Sequence, residues 1–225
     1  VSTGETGEGV ILYSHLDEEN VQRVIREQVA YFEGLDQGFE WKLYDYDAPP
    51  DLKEQLAAHG FEVEEPEAIM VLALAQAPEV LLQPVRHAVR RIARVEELED
   101  VLRVERQVWG QDYADLGRYL ADTSSGHPER MSVYVAYVDQ EPACAGWIYF
   151  PEESRFASLW GGSTLEDYRG RGLYTSLLAV RAQEAKARGL GFLTVDASPM
   201  SRTILEKHGF EMIAYSYPCK WKVRA

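Results

Sequence analysis

Residues 168–178 read Tyr-Arg-Gly-Arg-Gly-Leu-Tyr-Thr-Ser-Leu-Leu. Arg169 and Arg171 alternate with Gly170 and Gly172, and the run leads into Leu173, Leu177 and Val180, apolar at the i, i+4, i+7 spacing of one helix face. This spacing predicts a helix from Leu173 to Arg188, with Gly189 just beyond as its C-terminal cap. A strand-like segment, Phe156 to Ser163, precedes the run. A glycine-rich turn opening a helix leaves several backbone N–H groups unpaired and pointing one way. The helix dipole adds partial positive charge at the same place, and two guanidinium groups add full charges beside it. That chemistry suits a phosphate or pyrophosphate. Read only as structure, the same residues make a basic strand-to-helix turn that needs glycine for its dihedrals.

The elements that must position this run stand in a definite order. Ser132–Val138 and Ala143–Phe150 read as a hairpin ahead of the 156–163 strand. After the long helix come a strand at Phe192–Asp196, a short helix at Pro199–Lys207, and Gly209-Phe210 opening another strand. Ser198 and Pro199 suit the N-cap and N1 positions of the short helix, and Pro50 suits N1 of an earlier one.

Arg169 to Tyr174 resembles the Arg-x-x-Gly-x-Gly/Ala acyl-CoA signature of the GNAT superfamily of N-acyltransferases, and Leu-Glu-Lys-x-Gly-Phe at 205–210 resembles a late motif of that family. The resemblance spans about residues 89–225. It implies an α/β fold with a mixed, splayed sheet flanked by helices, and acetyl-CoA or CoA as the bound acyl carrier. By the same resemblance the carrier is held by Ser163, Thr164 and Leu165 in the strand before the signature, where Gly161-Gly162 are bulge formers. Arg169, Gly170, Arg171, Gly172, Leu173, Tyr174 and Thr175 hold it in the loop and first helical turn, and Ser198 and Ser201 at the short helix.

Three positions depart from the family pattern. Tyr174 stands where the signature ends in Gly or Ala, Ser198 where Asn is usual, and Leu205 where a tyrosine often protonates the leaving thiolate. Leucine has no proton to donate. Tyr174, Tyr215, Tyr217 and Ser201 are the other candidate donors. The expected base is a carboxylate, Asp196 at the end of its strand or Glu166 between strand and loop, although each also reads as loop or cap chemistry. Trp109, Tyr149 and Trp160 form the expected acceptor wall, with ordinary core packing as the alternative reading.

The chain has 225 residues, 46% hydrophobic and 27% charged, ordinary values for a globular protein. No apolar run approaches the roughly 18 residues that span a bilayer, and the polar, acidic start shows no secretory signal, so the expectation is a cytoplasmic protein that does not enter membranes. Cys144 and Cys219 lie far apart, no metal-ligand spacing is present, and Cys144 sits in an apolar strand as a small core residue. A formal net charge of −14 argues against nucleic acid as a partner. It mildly favours a cationic acceptor, a small-molecule or peptide amine.

Residues 47–62 and 196–211 align without gaps at an offset of 149, sharing Asp, Ala, Pro, Leu, His, Gly, Phe and Glu. Asp17–Glu33 reads as an amphipathic helix upstream of the first copy. Residues 10–77 therefore resemble the second half of a GNAT domain, but the helix there is entered through Ser14-His15-Leu16-Asp17-Glu18-Glu19, without the phosphate loop. The expected organisation is a flexible tail at 1–9, a half-domain at 10–77, a linker at 78–87 and a full domain at 88–225. The expected function is direct transfer of an acetyl group from acetyl-CoA to an amine. The alternative is a non-catalytic acyl-CoA-binding or partner-binding module, and a third reading is an interaction surface that matters more than CoA, with the repeat serving a homodimer.

Overall fold

Strands with a period of two and helices with a period near 3.6 alternate along the chain, and the computed structural model describes residues 2–3 and 9–223. In chain order the elements are β1 (Ser2–Thr3), β2 (Gly9–Ile11), α1 (Val21–Gly34), β3 (Phe39–Tyr44), α2 (Leu52–Ala58), β4 (Glu62–Val63), β5 (Glu67–Ala73), α3 (Glu79–Leu82) and β6 (Ala88–Arg91). They continue as α4 (Leu98–Trp109), α5 (Ala114–Gly126), β7 (Met131–Val138), β8 (Glu141–Tyr149), β9 (Phe156–Thr164), α6 (Leu173–Ala187), β10 (Phe192–Ala197), α7 (Pro199–Lys207) and β11 (Glu211–Trp221). The fold is mixed α/β. Of the 1–9 tail, residues 1 and 4–8 lie outside the described residues, Ser2–Thr3 pairs with β2, and Gly9 opens β2. Among the described residues no helix is long and apolar enough to cross a membrane.

The described residues form two compact units. One gathers those up to Ile69 with Asp196–Arg202 and those from Met212 onward; the other gathers Met70–Val195 and Thr203–Glu211. In the first, β2 runs parallel to β3, as a crossover through α1 requires, and β11 pairs antiparallel with β3. Phe39, Trp41 and Leu43 alternate onto one face of β3 and pack with Ile25, Phe32 and Phe61. Phe32 and Phe39 stack at 4.1 Å.

The second unit carries the run β6-β7-β8-β9-β10. Strand β7 is buried on both faces. Met131, Val133, Val135 and Tyr137 meet Leu98, Val101, Val104, Leu116 and Leu120 of α4 and α5. On the other face Ser132 and Tyr134 donate to the Glu184 carboxylate of α6, at 2.8 and 2.7 Å. The 78–87 stretch contains α3, which is tied to α6 by Gln183 Nε2 donating to the Leu81 and Gln83 carbonyls.

The two repeat copies end alike. Phe61 N donates to Leu56 O and Gly60 N to Ala57 O; Phe210 N donates to Leu205 O and Gly209 N to Glu206 O. Gly60 and Gly209 have φ of 89° and 83°, the left-handed conformation that glycine adopts without a Cβ penalty. The copies begin differently. Helix α7 starts at Pro199, whereas α2 starts at Leu52, with Asp51 rather than Asp-preceding Pro50 at its boundary. Pro50 is thus not the N1 residue, because the Leu52 N–H bonds to Pro49 O in a preceding turn.

Candidate functional site

The basic loop is built as its composition requires. A single 3₁₀ turn, Glu166–Tyr168, leads out of β9, Arg169 is extended, and Gly170 and Gly172 take φ of 73° and 84°. Gly172 is the N-cap of α6, and no side chain caps the helix. The first-turn N–H groups of Leu173, Tyr174 and Thr175 therefore have no intrahelical acceptor. Arg169 and Arg171 are exposed. Arg169 Nε donates to Thr164 O at 3.2 Å, which fastens the loop to the end of β9, and the Arg171 guanidinium lies 5.1 Å from the Tyr168 ring centre. A Cβ placed on Gly170 would meet nothing within 4 Å, so the outer side of the loop is open.

Strand β9 is irregular where the loop is fed. Its pairing with β8 passes from Ala145↔Ser163 to Gly146↔Gly161, which leaves Gly162 as the extra residue of a bulge. Gly161 and Gly162 have φ of 66° and 93°. On its other side β9 pairs in parallel with β10 only from Phe156 to Ser158, matched to Phe192–Thr194. Leu159–Thr164 runs on past that pairing, so the sheet is splayed there.

One buried cation holds the bulge. Arg181 of α6 is 1% exposed, and its Nη1 donates to Trp147 O at 3.2 Å and Trp160 O at 3.1 Å, carbonyls on both strands beside the bulge. Burial pushes the guanidinium's pKa down, while Tyr174 and Cys144 pull it the other way. Arginine remains charged in proteins. The Tyr174 ring lies against Gly162, where a Cβ would fall 2.8 Å from its Cε2. Burial raises the Tyr174 phenol, and Arg181 draws it back. The Cys144 thiol is pushed up to about 11, chiefly by burial; it is a free, buried cysteine that accepts from Thr164 Oγ1 at 3.1 Å.

The structure brings together Ser163, Thr164, Leu165, Glu166 and the run Arg169–Thr175 within one unit, along with Trp109, Tyr149 and Trp160. Trp109 Nε1 donates to Ser163 Oγ at 2.9 Å. Trp160 is exposed and donates to Ser158 Oγ, and Tyr149 packs against the α4–α5 core. Thr175 Oγ1 meets His208 Nε2 at 3.1 Å, a ring whose pKa burial lowers. Asp196, Ser198 and Ser201 belong to the other unit. There Asp196 is ion-paired with Lys42, and the two serine hydroxyls lie 3.1 Å apart at the start of α7. Burial lowers the Lys42 ammonium's pKa, yet Asp196 outweighs it and the net shift is upward. Tyr215 accepts from Arg202, and Lys53 lies over the Tyr217 ring.

Two residues at the site escape a sequence reading. Glu105 is 3% exposed on α4 and accepts from Ser163 Oγ at 2.9 Å. Its signal is positional: it stands four residues after Val101 and seven after Leu98, on the stripe that faces the core. Arg181 stands likewise four residues after Leu177 on a helix face that is otherwise apolar.

Residues 95–210 match the Acetyltransferase (GNAT) family. A GCN5-related N-acetyltransferase from Kribbella flavida superposes with a TM-score of 0.68 at 17% identity, over 94% of this chain and 79% of that one. A functionally unknown conserved protein from Staphylococcus epidermidis superposes with a TM-score of 0.72 at 13% identity, over 98% and 86%. A tandem GNAT protein from the clavulanic acid biosynthesis pathway gives 0.63 at 15% identity, over 89% and 70%. At such identities these likenesses concern the fold alone. No curated protein matches the sequence. The match over residues 95–210, more than half of the chain, shows that it belongs to the acetyltransferase (GNAT) family.

Proposed function

We propose that the chain binds acetyl-CoA at Arg169–Thr175 and transfers its acetyl group directly to an amine. One observation carries the reading: a glycine-entered, uncapped helix start stands directly after a strand that is bulged and parted from its neighbour. The residues present fit the carrier. The first-turn N–H groups of α6 suit its phosphates, Arg169 and Arg171 neutralise their charge, and the glycines keep the backbone bare. Bound there, acetyl-CoA supplies a thioester: a C–N bond forms as the C–S bond breaks, the C–S electron pair leaves on sulfur, and of the two protons the ammonium gives up, one ends on the CoA thiol and one in solvent.

The chain's own contribution is positional and electrostatic. The bulge turns backbone N–H groups of β9 away from the ladder, where they can meet a carbonyl oxygen as negative charge grows on it. The buried Arg181 keeps that irregular backbone in place from beneath. Leu205 is fully buried and takes no part in proton transfer. That same leucine favours the second reading, an acyl-CoA-binding module without turnover. The two readings part in a transfer assay over a panel of primary amines, with free CoA thiol as the readout. Amine-dependent thiol release is expected; acetyl-CoA binding with no release from any amine supports the module instead.

A further inference from the structure

Glu105 has no part in the roles just described, and its placement is costly. Burying a carboxylate costs several kcal/mol unless partners compensate. Glu105 Oε2 accepts from Ser163 Oγ at 2.9 Å, and Ser163 Oγ accepts from Trp109 Nε1 at 2.9 Å. Ser163 stands next to the bulged glycine of β9. A serine hydroxyl has one proton and two lone pairs. The proton is directed at Glu105, one lone pair takes the indole N–H, and the hydroxyl has a second lone pair for a further donor. Trp109 is 59% exposed, so most of its ring stays open to a cation while its N–H is engaged.

We propose that Ser163 and Glu105 form the proton relay that neutralises the acceptor, a primary ammonium held against Trp109. The proposal rests on the acyl-transfer reading above. In the relay an N–H bond of the ammonium breaks and its proton joins Ser163 Oγ, while the proton of Ser163 passes to Glu105 Oε2. The N–H electron pair stays on nitrogen, leaving a neutral amine and a carboxylic acid, and nothing is oxidised or reduced. Ser163 is the catalytic residue and Glu105 the positioning residue that receives the proton through it. Glu166 and Asp196 are differently placed, the first exposed and the second paired with Lys42.

The titratable groups that face Glu105 include Tyr113 and Cys144. Tyr113, before α5, is raised by burial and then by Glu105; Cys144 of β8 is raised to about 11 by burial foremost, with Glu105 contributing. Arg181 of α6 acts on Cys144 from the far side. Neither the phenol nor the thiol titrates in the acid range, whereas His208 beside Thr175 has a pKa lowered by burial, so the acid limb is assigned by comparing wild type with Glu105→Gln.

The experiment compares wild type, Glu105→Gln, Ser163→Ala, Ser163→Thr and Trp109→Phe at saturating acetyl-CoA, with the best amine of the panel. Expected are a loss of roughly 10²-fold or more in kcat for Glu105→Gln and Ser163→Ala, CoA affinity unchanged in Glu105→Gln, and partial recovery in Ser163→Thr. The acid limb of kcat/KM disappears in Glu105→Gln, and Trp109→Phe raises KM more than it lowers kcat. Without acetyl-CoA, titration of the amine changes tryptophan emission in wild type and not in Trp109→Phe. Turnover within threefold of wild type in folded Glu105→Gln, or an unaltered pH profile, overturns the relay. Should Glu105→Gln fail to fold, Ser163→Ala decides by the same threshold. Normal wild-type transfer with unaffected variants removes the relay alone; no transfer by the wild type removes it together with the acyl-transfer reading.

Discussion

At the scale of the residue, the bulge and the loop depend on atoms that are absent. Gly162 has a φ of 93°, and a Cβ there would fall 2.8 Å from Tyr174 Cε2. The left-handed conformation costs an alanine about 1–2 kcal/mol, and the ring edge must shift as well. Gly162→Ala should therefore lose about 1–3 kcal/mol in denaturant unfolding. Tyr174→Ala in the same chain should return the steric share and leave the backbone share, giving a measurable coupling between the two. Additive losses would mean the ring and the glycine do not constrain one another. Tyr174 itself illustrates what residue types reveal. Its place in the signature is evident from spacing, but the phenol's fit over a side-chain-free strand residue emerges only once β9 and α6 are packed.

At the scale of the element, α6 does two jobs at two places just over two turns apart. Its start presents free N–H groups, and further along Arg181 reaches under the sheet to the Trp147 and Trp160 carbonyls. Arg181→Met leaves those two carbonyls without their donor, at about 1–3 kcal/mol each, partly offset because a guanidinium need no longer be buried. A net loss of about 2 kcal/mol or more in urea unfolding is expected, with Arg181→Lys in between; a neutral or stabilising Arg181→Met would show that the bulge stands without it. The start of α6 was legible because Gly, Arg and apolar spacing each have a local meaning, as was the bulge at Gly161-Gly162. The caps of the repeat were legible for the same reason, since His-Gly-Phe closes a helix by short-range hydrogen bonds. Helix α5 was not: only Leu116 and Leu120 bury, and the Asp122-Thr123-Ser124-Ser125-Gly126 end carries no apolar period. Glu105 and Arg181 were missed because a charged residue on a helix reads as solvated until its neighbours are known.

At the scale of the whole molecule, the repeat poses the question of how many carrier sites the chain has. The first unit shares the parallel strand–helix–strand crossover, β2-α1-β3, yet the approach to α1 is closed by its own acid. Asp17 Oδ1 accepts from Glu19 N at 3.0 Å and Asn20 N at 2.8 Å. A carboxylate thus already takes the N–H groups ahead of that helix, and it repels a phosphate. In the second unit nothing of the kind caps α6, and Arg169 and Arg171 stand beside it. The net charge of −14 does not override them, because exposed charges are screened beyond ~8–10 Å at physiological salt. The central claim, one carrier site built on the 169–175 loop, is tested most directly by calorimetric titration of CoA into wild type and Arg169→Ala. One site per chain is predicted, with affinity falling by about 10–100-fold in the variant, the worth of about 1.5–3 kcal/mol for a hydrogen bond to a charged group. Two equivalent sites, or an affinity untouched by the loss of Arg169, would contradict it.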